Sequence, residues 1–88
     1  MQTLVIRHAV KDFDTWMSFN QARKANILAN GATAVRTFQD QANPNTVLMI
    51  IDLEDVEKFQ AMMNSDRATE IRAKHGVLDP VVFSKEIS

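Results

Sequence analysis

A run of five apolar residues, Val-Leu-Met-Ile-Ile at positions 47–51, constrains the fold of this chain more than any other feature of its sequence. The run lies within TVLMIIDL (46–53), whose short length and β-branched and aliphatic residues predict a strand. Successive side chains of a strand point to opposite faces, so a half-buried strand alternates apolar and polar residues. This strand does not alternate, and we therefore expect both of its faces to be covered.

Three further segments predict strands. TLVIRHAV (3–10) and ATAVRTFQ (32–39) are short and rich in β-branched and aliphatic residues. VLDPVVFSKEIS (77–88) is similar, but Pro80 places it at the start of a strand or at a sheet edge. DQANPNT predicts the turn of a hairpin that joins the second and third strands.

The remaining segments predict helices. Asp12 can cap a first helix that runs to about Asn30, where Gly31 supplies a left-handed stop. EDVEKFQAMMN predicts a second amphipathic helix. SDRATEIRAKHG predicts a short extra helix or a kinked continuation, which ends at Gly76 and has Ile71 as its main apolar anchor. The predicted buried face of the first helix consists of Phe13, Trp16, Met17, Asn20, Ile27 and Leu28.

The order strand, helix, strand, strand, helix, strand is that of ferredoxin-like βαββαβ folds, in which two helices cover one face of a four-stranded antiparallel sheet. The 88 residues suffice for a single domain, 1–88, with no further element for the other face. A second copy of the chain, packed face to face about a two-fold axis, is the economical cover. The alternative is an exposed apolar patch.

The composition and the motifs that are missing exclude several functions. The net charge is −1 and the basic residues form no stripe, so we expect no nucleic-acid partner. Without cysteine there is no thiolate metal site or cysteine nucleophile, and the two histidines have no metal-motif spacing. No phosphate loop or dinucleotide fingerprint is present, so nucleotide use has no support. We expect no cofactor, and the spacing of the histidines implies no metal. We expect a cytoplasmic protein without membrane contact, since no secretory signal or apolar stretch of about 20 residues occurs.

His8 is the strongest candidate for chemistry. It shares a strand face with the apolar residues Leu4, Ile6 and Val10, where a neutral imidazole can act as a general base or donate a hydrogen bond to a ligand. The alternative is a structural histidine bonded to a backbone carbonyl. Its neighbour Arg7 points to the opposite face of the sheet.

Arg7 and Arg36 are candidates for anion binding, because a guanidinium can hold a carboxylate or an enolate oxygen. The alternative for each is an ion pair, with Asp52 or Glu86 as partner. Asp52 ends the apolar run, where it either orients His8, pairs with an arginine or is solvated.

Trp16 is either a core residue or one wall of an aromatic-lined pocket with Phe13, Phe38 and Met49. For His75, near the end of a predicted helix, we expect the role of a cation at the helix C-terminus.

Three segments, LVIRHAVKDFDTW, VRTFQDQANPNTVLMIIDLEDVEKF and VVF, resemble the dimeric α+β barrel superfamily, which includes antibiotic biosynthesis monooxygenase-type proteins. The resemblance covers nearly the whole chain. It implies a ferredoxin-like protomer, a dimer formed through the open sheet faces, and a cavity between sheet and helices that holds small, often aromatic, molecules. Members include cofactor-free oxygenases, haem-degrading enzymes, isomerases, chlorite-processing enzymes and ligand-sensing modules.

The haem-degrading branch has an Asn on the first strand, a Trp at the end of the third strand and a His on the helix that follows. His75 is similar to the last of these, but positions 7–9 hold no Asn and Leu53 stands where the Trp is expected. Haem degradation is therefore not expected.

The sequence thus predicts a homodimeric α+β barrel that binds a small aromatic or polyketide-like molecule. If it is an enzyme, we expect a cofactor-independent monooxygenase, cyclase or isomerase in which His8 moves a proton and Arg36 stabilises an oxyanion. The alternative is a non-catalytic module, either ligand-sensing or stress-related.

Overall fold

The computed structural model describes residues 1–88 and contains four strands and four helices. The strands are β1 (Gln2–Val10), β2 (Ala32–Gln39), β3 (Thr46–Leu53) and β4 (Val77–Lys85). The helices are α1 (Phe13–Ser18), α2 (Asn20–Leu28), α3 (Val56–Met63) and α4 (Asp66–Lys74). None of these helices has the length and apolar character needed to cross a membrane.

The four strands form one antiparallel sheet in the order β2-β3-β1-β4. This topology is that of a ferredoxin-like fold, and it confirms the predicted fold class. β4 lies at the edge of the sheet. Pro80 has no N–H to donate, and at an edge strand this loss is tolerated because no second neighbouring strand needs the donor.

Side-chain caps decide where three of the helices begin. The Asp12 carboxylate accepts from the Thr15 N–H at 2.9 Å, and the Asp55 carboxylate accepts from the Lys58 N–H at 3.0 Å. The Ser65 hydroxyl does the same for the Ala68 N–H at 3.1 Å. Each cap satisfies an amide that has no partner within its helix.

The single first helix that the sequence predicts is in fact two helices, with a turn at Phe19 between them. Phe19 has φ −99° and ψ 7°, and its N–H bonds to the carbonyl of Trp16, three residues back, instead of continuing the α-helical pattern. Its ring stacks on His75 with 4.2 Å between centroids, which holds the turn against the end of α4. The predicted burial of Leu28 is wrong: Ile27 takes the sheet-facing position and Leu28 is 45% exposed.

One core lies between the sheet and the helices. In α4 the buried residue is Ala68, whereas the predicted anchor Ile71 is half-buried. The main core cluster consists of Ile6, Val10, Trp16, Ile27, Ala32, Val35, Val47, Met49, Ile51, Leu53 and Phe59.

The apolar run of β3 lines both faces of the sheet. Val47, Met49 and Ile51 are buried beneath the helices, whereas Leu48 and Ile50 are half-buried on the other face, which no element of the chain covers. We call this second face the open face. Its register places Val5 and Arg36 beside Ile50, and Arg7 and Phe38 beside Leu48. The open face is therefore largely apolar with a few charged residues.

Candidate functional site

A cavity of about 70 Å³ lies between the helices and the covered face of the sheet. We call it the inner cavity. Its apolar walls include Trp16, Met49, Met62 and Met63, and its polar lining residues are His8, Arg23, Asn26, Arg72 and His75. No aspartate or glutamate lines it, although the chain as a whole carries a net charge of −1.

His8 reaches the inner cavity from near the C-terminal end of β1 and is 6% exposed. Its Nδ1 lies 3.0 Å from the carbonyl oxygen of Ala9, so the neutral ring donates there and keeps Nε2 as an acceptor. Burial lowers the pKa of His8; the Ala9 carbonyl opposes this shift, and the charge of Arg23 adds to it. His8 is therefore neutral at pH 7 and able to accept a proton.

Arg23 reaches the cavity from α2. Its guanidinium carbon lies 3.8 Å from the centroid of the Trp16 ring, and Nη2 donates to the Trp16 carbonyl at 2.9 Å. Nη1 donates to Nδ1 of His75, also at 2.9 Å. Neither hydrogen bond goes to a carboxylate. Burial lowers the pKa of Arg23 to about 10, which still leaves it charged at neutral pH.

His75 follows α4 as its C-cap and is 7% exposed. Because it accepts from Arg23 through Nδ1, its proton is on Nε2. Burial lowers the pKa of His75, and the nearby charges of Arg23 and Lys74 add to this effect. The predicted helix-end cation is thus wrong, because the buried ring beside Arg23 is neutral.

Trp16 completes the site from α1. It is fully buried and packs edge-to-face on His8, with 5.9 Å between ring centroids and 75° between planes. Its indole Nε1 has no hydrogen-bond partner. We call His8, Trp16, Arg23 and His75 the buried cluster. It combines a neutral base with a fixed cation in apolar surroundings, which suits removal of a proton and stabilisation of the resulting oxyanion.

A second, wider depression adjoins the inner cavity. This outer groove has a volume of about 800 Å³ and runs between β1 and β4 on one side and α3 and α4 on the other. The two spaces share Met63, Arg72 and Val81. Arg72 donates to the Met63 carbonyl at 3.3 Å and to the Thr69 hydroxyl at 3.4 Å. These three shared residues form the partition between groove and cavity.

The structure divides the residues that the sequence singled out between the two faces of the sheet. His8, Trp16 and Met49 line the inner cavity. The other four lie on the open face, since their register partners are residues of that face: Arg7, Arg36, Phe38 and Asp52. His8 and Arg36, predicted to act together, are therefore separated by the thickness of the sheet.

The open-face residues make other contacts. Asp52 accepts a hydrogen bond from the Thr3 hydroxyl at 2.8 Å and does not orient His8. The Arg36 guanidinium lies 5.9 Å from the centroid of the Phe38 ring. Phe38 consequently does not join Trp16 in an aromatic pocket, although Phe13 does pack against Trp16, with 6.3 Å between centroids.

Arg23 is the member of the buried cluster that the sequence reasoning missed. The signal was its spacing: Trp16, Asn20, Arg23 and Ile27 follow one another at steps of four, three and four residues. Such steps place residues on one face of a helix. An arginine at that position lies in the apolar stripe instead of on the solvated face.

No protein-family model and no curated protein matches the sequence. The fold, however, is similar to several solved structures. An antibiotic biosynthesis monooxygenase superposes with a TM-score of 0.75 at 13% identity, over 100% of this chain and 98% of that chain. A conserved protein from Methanosarcina mazei Go1 gives 0.74 at 17%, over 97% and 89%.

SnoaB, a cofactor-independent oxygenase from Streptomyces nogalater, superposes with a TM-score of 0.70 at 16% identity, over 99% of this chain and 91% of that chain. At these identities the likeness shows a shared fold. The predicted resemblance to antibiotic biosynthesis monooxygenase-type proteins is thus confirmed at the level of the fold.

Proposed function

We propose that this chain is a small-molecule-binding protein that acts as a cofactor-independent enzyme on an aromatic or polyketide-like substrate, with His8 as its general base. The observation that carries the proposal is the state of His8: buried, neutral, held in one tautomer by Ala9 and placed beside the cationic Arg23 in a cavity. The fold shared with a cofactor-independent oxygenase supports it.

The proposed step is one proton transfer. Nε2 of His8 takes a proton from an acidic C–H or O–H of the substrate, which leaves an imidazolium and the conjugate base of the substrate. Oxygenation, cyclisation and isomerisation of such molecules can all begin with this step. The reaction class then depends on whether the conjugate base reacts with dioxygen, closes a ring or is protonated again at another atom.

The size of the inner cavity places a condition on the substrate. An engineered apolar cavity of about 150 Å³ binds benzene, and the inner cavity has less than half that volume, about 70 Å³. An aromatic ring therefore needs the walls to move. Met62 and Met63 are suited to this, because methionine has three rotatable bonds and adapts to irregular shapes. The outer groove, on the other side of Met63, has room for the remainder of an extended substrate.

We also propose that the chain is a homodimer joined through its open faces. Phe38 and Val82 lie on this face and are 43% and 49% exposed, next to the half-buried Leu48 and Ile50. Burial of these side chains against a second copy removes apolar surface from water. Arg7, Arg36 and Asp52 provide charges of both signs for pairing across such an interface.

Dioxygen uptake with a series of dihydroxynaphthalenes, which react with dioxygen once deprotonated, tests the catalytic proposal. We expect wild-type turnover and a loss of at least about 100-fold in kcat for His8→Gln, with Tm and sedimentation unchanged. Arg36→Gln tests whether Arg36 stabilises the oxyanion, as the sequence predicts. Because Arg36 lies on the open face, we expect kcat within about two-fold of wild type, well short of the loss expected for a catalytic group.

Full activity in His8→Gln would contradict the proposal, as would a loss confined to Arg36→Gln with the dimer intact. Saturable binding of these compounds without turnover by the wild-type protein would instead identify a ligand-sensing module.

A further inference from the structure

We infer that Arg23 is an anion-binding residue, so that the inner cavity selects molecules in which a carboxylate, phenolate or enolate oxygen is attached to an apolar body. This inference rests on the proposed function in one respect, since it assumes that the cavity is where the ligand binds. It names the chemical class of that ligand.

The first argument is the charge balance around Arg23. Arg23 is half-buried, its guanidinium contacts Trp16 and His75, and both of its hydrogen-bond acceptors, a backbone carbonyl and a neutral imidazole, are uncharged. Buried cations in proteins are normally paired, because an isolated charge in apolar surroundings is costly. An anionic oxygen of a ligand supplies the missing counter-charge.

The second argument is the set of unused donors. Two buried side-chain polar atoms in the chain have no hydrogen-bond partner, Nε of Arg23 and Nε1 of Trp16, and both belong to residues that line the inner cavity. Buried polar groups are almost always satisfied, so these two N–H donors, on residues that stack at 3.8 Å, are available to an acceptor that enters when the surrounding side chains move. An oxyanion, with several lone pairs, is such an acceptor.

The third argument is the composition of the lining. It contains two arginines and two histidines and no acidic residue. The two histidines are neutral, so the charge of the lining comes from Arg23 and Arg72 alone. Both charges are positive, so they attract an anion and repel a cation in surroundings where water screens little. His8 extends the range to neutral acids, because Nε2 can take the proton and leave the oxygen negative beside Arg23.

The fluorescence of Trp16 can measure binding of a ligand at this site. Trp16 is the single tryptophan of the chain and lies under the Arg23 guanidinium, so its fluorescence reports on this site alone. The titrations use formate, which is small, together with benzoate and its neutral isostere benzamide, at constant ionic strength and pH 7.5. We expect saturable changes with formate and benzoate, and binding of benzoate at least ten-fold tighter than that of benzamide.

Arg23→Met should abolish the preference for benzoate, and Arg23→Lys should retain part of it, which keeps the test valid if the first variant is poorly folded. Arg67→Met is the matched control: it removes one positive charge from an exposed position of α4 and should leave the preference unchanged.

Equal affinities for benzoate and benzamide in the wild type, or a preference that survives in Arg23→Met, would overturn the inference and leave the aromatic cavity of the proposed function standing. Arg23-dependent binding of formate without binding of benzoate would support the anion site and refute the aromatic substrate. Failure of both anions to perturb Trp16 would overturn the inference.

Discussion

The guanidinium of Arg23 donates to Nδ1 of His75 at 2.9 Å, and this bond requires the imidazole to be neutral. Arginine has no acceptor atom, so the histidine must present a lone pair. Protonation of His75 removes that lone pair and places a second positive charge beside the first. His8, in the same cavity, also has its pKa lowered by burial.

Stability should therefore fall as the pH falls below about 6.5, the ordinary pKa of histidine. The pKa values of His8 and His75 are lowered in the folded protein, so between the lowered values and 6.5 the unfolded chain binds more protons, which favours unfolding. We expect Tm to decrease by a few degrees from pH 7.5 to 5 and to change little from 7 to 8. Scanning calorimetry of the wild type and of the double variant His8→Gln/His75→Gln tests this. An equal decrease of Tm with falling pH in both proteins would refute it.

Gly31 should tolerate alanine much less well than Gly76 does. Both have positive φ, +97° and +75°, but a Cβ on Gly31 would overlap the carbonyl oxygen of Asp55, whereas on Gly76 it would meet the Lys11 Cβ at an ordinary 3.5 Å. The Gly31 carbonyl also accepts the N–H groups of Glu54 and Asp55. We expect Gly31→Ala to cost more than about 2 kcal/mol and Gly76→Ala about 1 kcal/mol in urea denaturation. Equal losses of unfolding free energy in the two variants would show that the Asp55 carbonyl shifts to make room for the new Cβ.

Phe59→Ala should lower the free energy of unfolding by about 3 kcal/mol, because it truncates a core aromatic that is 1% exposed. Phe83→Ala is the control: Phe83 is 48% exposed at the outer groove, and its truncation should cost less than about 1 kcal/mol. Urea denaturation at a single protein concentration compares them. A cost below about 0.5 kcal/mol for Phe59→Ala would mean that α3 does not close the core.

Ile50→Asp should convert the proposed dimer into a monomer, since it places a charge at the centre of the open face. Leu28→Asp introduces the same charge at a residue of α2 that is 45% exposed and should leave the dimer intact. Sedimentation velocity distinguishes the two species. A monomeric wild type, or a dimeric Ile50→Asp, would refute the proposed interface.

The strands were predictable because their signals are local. β2 and β3 begin and end at the predicted residues, since Gly31 precedes one and a loop rich in Pro and Asn joins them. The division of the first helix was not predictable from the same kind of signal. The ring of Phe19, the residue at which α1 ends, stacks on His75, a contact between residues 56 positions apart.

The lining of the inner cavity was predictable in part. The alternation of β1 places His8 on the covered face, and Trp16 lies in the apolar stripe of the first helical segment, so both could be found by counting along the chain. The sequence predicts that Arg36 acts with His8 because both are strand residues with suitable chemistry. Which face each strand residue occupies depends on the register of β2 against β3, which composition does not reveal.

Arg7 and His8 are neighbours along β1, yet one side chain leaves the sheet on the open face and the other enters the inner cavity. A single strand thus serves two surfaces through alternate residues. Substitutions of Ile6 or His8 alter the lining of the cavity, whereas substitutions of Val5 or Arg7 alter the open face. The cavity and the open face can therefore change separately during evolution, which gives a chain of 88 residues two independent routes by which to diverge.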